Sequence, residues 1–206
     1  MCDPLLKPIT LPKLLFVEGK DEENLAEALL KHLQITDVDI RLVNGKDKFK
    51  TELTSTVKSS GFYDKVTIIG ILRDAEDSFD STFQSMNDVF ASIGLDKLGA
   101  PLVFSEGMPR TGVFIAPDNK SPGMLETLCL RAIQGTPAMA CVEEFYSCAS
   151  KLETPPNNPD KTRMQAYLAT LPKDVRSLGV SAQKKGFWDF NHEAFAPLRG
   201  FLENFR

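Results

Sequence analysis

The sequence predicts an α/β protein: a mainly parallel central sheet with helices on both faces, plus a helical C-terminal extension. Three observations carry this. Two short apolar runs, Leu14-Leu15-Phe16-Val17 and Val66-Thr67-Ile68-Ile69-Gly70-Ile71-Leu72, lack polar alternation, as do strands covered on both faces. Apolar residues then recur at helical spacing, as in Leu25, Ala26, Leu29, Leu30 and Leu33. The resulting β-α-β-α-β-α order, over about 80 residues, is the pattern of parallel strands joined by helical crossovers.

Taken in order, strand 14–17 precedes a helix over 21–33. A short strand over 39–43 closes at the Asn44-Gly45 turn signal. Residues 48–60 read as a polar helix ending at Gly61. Strand 66–72 leads to a helix over 79–93, striped by Phe79, Phe83, Met86, Val89, Phe90 and Ile93 and ended by Gly94. Pro101-Leu102-Val103-Phe104 and Gly112-Val113-Phe114-Ile115 read as two more short strands, arranged as an edge hairpin. Ser121-Pro122 has the pattern of a helix start, with serine as cap and proline in the first turn. That helix is expected to reach about Gln134. Further helices are expected over 138–151, 160–170 and 193–205, with Thr154–Pro159 as a mobile loop. The expected organisation is one domain over 1–206, its core spanning about 13–135 and its helical extension about 136–206.

Composition removes several function classes. The formal net charge of −4 gives no broad attraction for nucleic acid, so such a contact needs a local basic patch or a bridging metal. Cys2, Cys129, Cys141 and Cys148 show no CxxC spacing, and His32 and His192 are the only histidines, which excludes a structural zinc site. Cys129, Cys141 and Cys148 fall in helix-like apolar stretches and are expected to be buried thiols. No stretch is long enough to span a bilayer, so no membrane association is expected and the chain is placed in the cytoplasm.

The functional signal is acidic. Val17-Glu18-Gly19-Lys20-Asp21-Glu22 and Asp74-Ala75-Glu76-Asp77 each follow an apolar strand. In an open parallel sheet the carboxyl ends of the strands share one edge, where ligands bind. The two clusters are therefore expected to meet. Converging carboxylates repel unless a cation lies between them, which points to a Mg²⁺ site. Gly19 allows close approach by a ligand. Glu22 opens the inward stripe of its helix, one turn from Glu18. Asp21, Glu22 and Glu23 also suit a helix N-terminus for purely electrostatic reasons, an alternative that leaves Glu18 unexplained. Asp74 and Glu76 stand two apart and are expected to point the same way. Asp77 is expected to cap the helix starting near Ser78 or to share the ion.

VEGKDE before a helix, and later an apolar strand closing in Asp-x-acid, resemble the toprim domain. That domain is shared by topoisomerases, bacterial primases and several nucleases. The clear resemblance covers residues 13–77. More loosely the whole chain is similar to small stand-alone toprim-like prokaryotic proteins, through Pro122-Gly123-Met124-Leu125-Glu126 and Gly186-Phe187-Trp188-Asp189-Phe190. The resemblance implies a toprim-like, Rossmann-like fold, with Glu18 in proton transfer or metal binding and Asp74 with Glu76 on Mg²⁺ or Mn²⁺. Glu76 departs from the family pattern, where a second aspartate stands; its longer stem would shift the ion. The nuclease branch implies two more acids, matched here by Glu22 and Glu126. Glu126 shares a helix face with Cys129, Leu130 and Ile133, and an early helical turn also favours an acid there.

Around these acids, Glu18 and Lys20 are the expected catalytic residues, with Lys20 neutralising phosphate or pairing with an acid. Lys46 and Lys48 would form a basic lip for substrate, or simply a solvated loop; the GxxxxGK[ST] spacing of a P-loop is absent. The aromatic run at 187–190 suits packing better than base stacking. Lys184 and Lys185 are weak candidates to face a scissile phosphate. Tyr63, Tyr146 and Tyr167 sit in no nucleophile motif, which favours hydrolysis over strand passage. The expected function is Mg²⁺-dependent phosphodiester chemistry by a nuclease-like protein on DNA or RNA, with a protein partner or homodimer also in view. The alternative is a non-catalytic module that binds metal or nucleotide. A phosphoacceptor receiver domain fits less well, because the first strand ends in Glu-Gly and the later site carries three acids.

Overall fold

A computed structural model describes residues 8–171 and 175–206. Four strands, β1 (Lys13–Val17), β2 (Val38–Leu42), β3 (Ile68–Asp74) and β4 (Arg110–Ala116), form one sheet in the order β2-β1-β3-β4. Every pairing is parallel, with Val17 beside Leu42 and Leu72, and Asp74 beside Ala116. The helices are α1 (Lys20–His32), α2 (Phe49–Val57), α3 (Phe62–Lys65), α4 (Phe79–Ser92), α5 (Leu125–Ile133), α6 (Pro137–Ala149), α7 (Pro159–Thr170), α8 (Leu178–Ala182) and α9 (Ala196–Glu203). The α/β class is the one the apolar runs predict. Among the described residues no helix is long and apolar enough to cross a membrane.

Strand alternation divides the core in two. Leu15, Val17, Ile68, Leu72, Phe114 and Ala116 face one cluster, built with α1, α5 and the C-terminal helices. Leu14, Phe16, Ile69, Ile71, Val113 and Ile115 face the other, built with α2, α3 and α4. The connection after β1 thus covers one face and the connection after β3 covers the other. The crevice between the carboxyl ends of β1 and β3 is the topological switch point of the sheet, the place where open α/β sheets bind ligands.

The C-terminal helices do not stand apart from the sheet. Phe201 and Phe205 are fully buried, and a Cβ at Gly70 would lie 2.4 Å from the Phe205 ring and 3.0 Å from that of Phe201. Gly112 is bare for the same reason, with the Phe104 ring 2.5 Å from where its Cβ would be. The two glycines leave a trough in the middle of the sheet that three phenylalanines fill.

Several local expectations are corrected. Residues 101–104 form no strand, because Leu102 takes a left-handed φ of 62° and Phe104 turns down onto Gly112; residues 112–115 belong to β4, parallel to β3. The helix expected over 48–60 starts as a 3-10 turn at Lys46–Lys48 and continues as α2; Gly61, at φ 77°, then separates it from α3. Ser121 does not start α5: its N–H and hydroxyl bond the Asp118 carboxylate, and the chain enters the helix only after Gly123, at φ 130°. Ser78, not Asp77, caps α4, accepting from the Ser81 N–H at 3.2 Å. The expected helix 193–205 splits into a 3-10 turn at Glu193–Phe195 and α9. The short helix α8 carries no periodic signal and was not expected. Cys129 is buried, whereas Cys141 and Cys148 are exposed on the outer face of α6; Cys2 lies outside the described residues.

Gly70→Ala should lower stability by about 1–3 kcal/mol, since rings packed on both sides leave no room for a methyl group. Chemical denaturation checks this, and an unchanged midpoint would mean that the trough is loosely packed.

Candidate functional site

The apolar run that makes β1 ends at Val17 and the run that makes β3 ends at Asp74, so the next polar side chains emerge at the switch point. There a cavity of about 720 Å³ is lined by Glu18, Lys20, Asp21, Glu22, Asp74, Glu76 and Glu126, with Asn158, Lys161 and Ser177 on its far wall. The structure thus brings together most of the acids singled out in the sequence. Asp77 is exposed and does not line the cavity, nor do Lys46 and Lys48.

Each acid is held by a different element. Asp74 closes β3, and its Oδ1 accepts the first N–H of α5, from Leu125, at 2.9 Å. Glu18 leaves β1 and turns over Arg73, with its Oε2 3.9 Å from the Arg73 Nε. Neither of these two buried atoms has a hydrogen-bond partner. Arg73 is confined on its other side by the Phe49 ring and the Met86 sulfur. Glu22 reaches back from the first turn of α1 across Gly19; a Cβ on Gly19 would lie 2.8 Å from the Glu22 Oε2. Space, rather than backbone conformation, is what glycine supplies there. Glu126 enters from the first turn of α5.

Glu76 differs. It takes a left-handed φ of 55° and pairs its backbone with Gly123 through two 2.8 Å hydrogen bonds. That turn carries its carboxylate outward, where Lys46 lies at 3.2 Å. The strand-like geometry expected for Asp74 and Glu76 therefore stops at Asp74, and Lys46 reaches the rim only through Glu76. Lys20 pairs with Glu23 at the solvent edge.

Burial pushes the Asp74 carboxyl group well above the usual aspartate range, and the charges of Glu22, Glu126 and Glu18 push it further. Glu18 is raised chiefly by burial, with Arg73 opposing and Glu76 adding. Glu22 and Glu126 are likewise raised, burial leading in both. Four half-buried acids therefore share one cavity with little positive charge to offset them. Among the described residues, no three His, Cys, Asp or Glu side chains are drawn together closely enough to hold one ion.

Lys161 and Asn158 escape the sequence reading. Asn158-Pro159 carries a cap-and-proline signal for α7, and the Asn158 side chain accepts from the Lys161 N–H at 3.0 Å. Nothing local relates that helix to the sheet edge. The link is tertiary: the Thr127 hydroxyl of α5 donates to Asp160 of α7, which sets Lys161 over the acids and opposes the raised values of Glu18 and Glu126. α8 is tied in the same way, its Gly179 N–H donating to the Asp21 carboxylate at 2.9 Å.

A protein-family model, described as Protein of unknown function (DUF3226), matches residues 12–206. The chain belongs to this family. The match takes in the sheet and the C-terminal helices alike, so the DUF3226 unit holds both walls of the cavity. No curated protein and no solved structure matches the chain.

Asp74→Asn tests the repulsion directly. Carboxyl groups raised by folding favour the folded state only while protonated. Their contribution is complete below the ordinary carboxylate range and is lost as pH rises through their raised values. Asparagine keeps the acceptor for Leu125 and removes the charge. In chelator at pH 7 the variant should melt about 2–4 °C higher, the shift that roughly 1 kcal/mol gives in a chain of this size. Near pH 4 the gain should shrink. An equal gain at both pH values, in thermal melts, would contradict the account.

Proposed function

We propose that this DUF3226 protein performs divalent-cation-dependent phosphodiester chemistry on DNA or RNA, as a nuclease-like, toprim-like protein of the cytoplasm. The observation that carries the reading is the cluster of four half-buried, mutually repelling carboxylates at the switch point of the sheet, headed by Asp74. Its oxygen donors suit a hard cation. Mg²⁺ commonly takes one or two carboxylates and keeps several waters, so a site without three gathered protein ligands still fits it. The oxygen of Asp74 not held by Leu125 is a donor the protein leaves unused. Asp74 with one of Glu22 or Glu126 would hold Mg²⁺ or Mn²⁺, water completing the shell. When bound, the ion polarises a phosphoryl oxygen and lowers the pKa of a water.

The chain's own residues supply the rest. Glu18, raised by burial and held from behind by Arg73, moves a proton at the attacking or leaving oxygen. Lys161 and Lys20 present charge to the non-bridging phosphate oxygens from opposite walls.

A second reading is a non-catalytic module that binds metal or nucleotide. One observation favours it: Glu76 is engaged by Lys46 instead of standing beside Asp74.

Incubation of purified protein with labelled single-stranded DNA, duplex DNA and RNA in Mn²⁺ or Mg²⁺ separates the two. Cleavage should depend on the ion and fall at least about 100-fold in Glu18→Gln, the usual scale of a lost general acid or base. It should vanish in Asp74→Asn. Activity unchanged in both variants would eliminate the proposal, while calorimetric Mn²⁺ binding without cleavage would select the second reading.

A further inference from the structure

The acidic cavity lies at one end of α1, and the other end borders a cleft of opposite character. This cleft, of about 510 Å³, shares no lining residue with the first cavity. Lys31 and His32 from the last turn of α1 form one side, and Lys184 and Lys185 form the other. Trp188 and Phe190 provide an aromatic wall. Lys20, at the acidic cavity, and Lys31 are eleven residues apart on α1, a rise of about 16 Å.

Packing explains the aromatic residues only in part. Trp188 is buried, stacks edge-on against Phe195 and donates its indole N–H to the Ser181 hydroxyl at 2.7 Å. Phe190 lies half-buried against His32 and Phe195. Lys184 lies over the Phe187 ring, but packing gives no reason for Lys31 and Lys185 to border this wall in a chain of net charge −4. The acids flanking the cleft are engaged elsewhere: Glu27 accepts from the Gln183 amide, and Asp189 accepts from the Asn191 N–H. Lys31 and Lys185 form no ion pair among the described residues. Their charges stand uncompensated in a cleft that the half-buried Phe190 ring and an edge of Trp188 line.

We propose that this cleft is a second ligand site, one that takes a nucleotide, with its phosphate on Lys31, Lys184 and Lys185 and its base against Trp188 and Phe190. Phosphate is matched by clustered lysine charge, and an aromatic wall accepts any base by its π face. The nucleotide is either free or one unit of a single strand, and both present the same chemistry. The site does not depend on the reading of the acidic cavity, and it is the kind of local basic patch that nucleic-acid contact requires in an acidic chain.

Trp188 is the only tryptophan, so its emission reports on this cleft alone. Titration of the full chain in chelator with AMP, and separately with a short oligothymidylate, should change that emission and saturate. Lys31→Glu and Lys185→Glu, both on the surface, should weaken binding about tenfold or more while the melting temperature holds. For the oligonucleotide, each lysine removed should cut the log-affinity against log-salt slope by about 0.7. Asp74→Asn should bind as wild type, which separates this site from the acidic one. A response to AMP identifies a nucleotide pocket, and a response to the oligonucleotide alone identifies a strand-binding cleft. Unchanged emission with both ligands, midpoints indifferent to the lysine variants, or loss of binding in Asp74→Asn would overturn the proposal.

Discussion

Asp74 ends the central strand of the sheet with a carboxylate that the fold buries among Glu18, Glu22 and Glu126 and gives one hydrogen bond. Most of the surrounding structure can be understood as the support for that unfavourable placement. Buried apolar groups stabilise by roughly 25 cal/mol per Å² removed from water, and both sheet faces are closed by large side chains. The sheet can therefore carry a local electrostatic cost at its edge. Arg73 offsets part of it from beneath, but at 3.9 Å and without a hydrogen bond it does not quench Glu18. The acids are left exposed to the cavity and short of partners, as expected of groups kept for binding rather than for stability.

The C-terminal helices finish what the sheet begins. Asp21 holds the start of α8, Thr127 holds the start of α7, and Asp74 holds the start of α5. Three polar groups at the sheet edge thus fix three helix N-termini, and each bond positions a wall of the cavity. Acidic side chains around the cavity are divided by this architecture. Asp21 and Asp160 serve as struts. Glu18, Glu22 and Glu126 line the cavity, half-buried.

Much of this was legible in the chain because it depends on local patterns. Continuous apolar runs before Glu18 and Asp74 predicted buried parallel strands, and parallel strands place their ends together whatever the separation in sequence. Glu22 was readable from helical spacing to Leu25 and Ala26. What could not be read depends on turns or on distant contacts. Glu76 follows Asp74 by two, yet a left-handed residue paired to Gly123 turns it toward Lys46. Phe104 sits in a strand-like run, but the absence of a side chain at Gly112 draws its ring down onto the sheet. Cys141 and Cys148 lie in an apolar stretch whose outward face carries them, since α6 buries only Met139, Val142 and Ala149. Lys161 reaches the site through a hydroxyl–carboxylate bond between two helices, which leaves no trace in spacing.

The trough at Gly70 and Gly112 also bears on how the protein comes into being. A growing chain emerges from the ribosome N-terminus first, and the residues that fill this trough, Phe201 and Phe205, are made more than a hundred positions after Gly70. Until they appear, the trough on the face of β3 carrying Ile68 and Leu72 is incompletely covered, even though all four strands and helices α1 and α5 have been made. Pairings this distant in sequence form slowly, and uncovered apolar sheet surface is prone to aggregate. Synthesis therefore passes through a stage in which the trough at Gly70 and Gly112 still lacks two of its three rings.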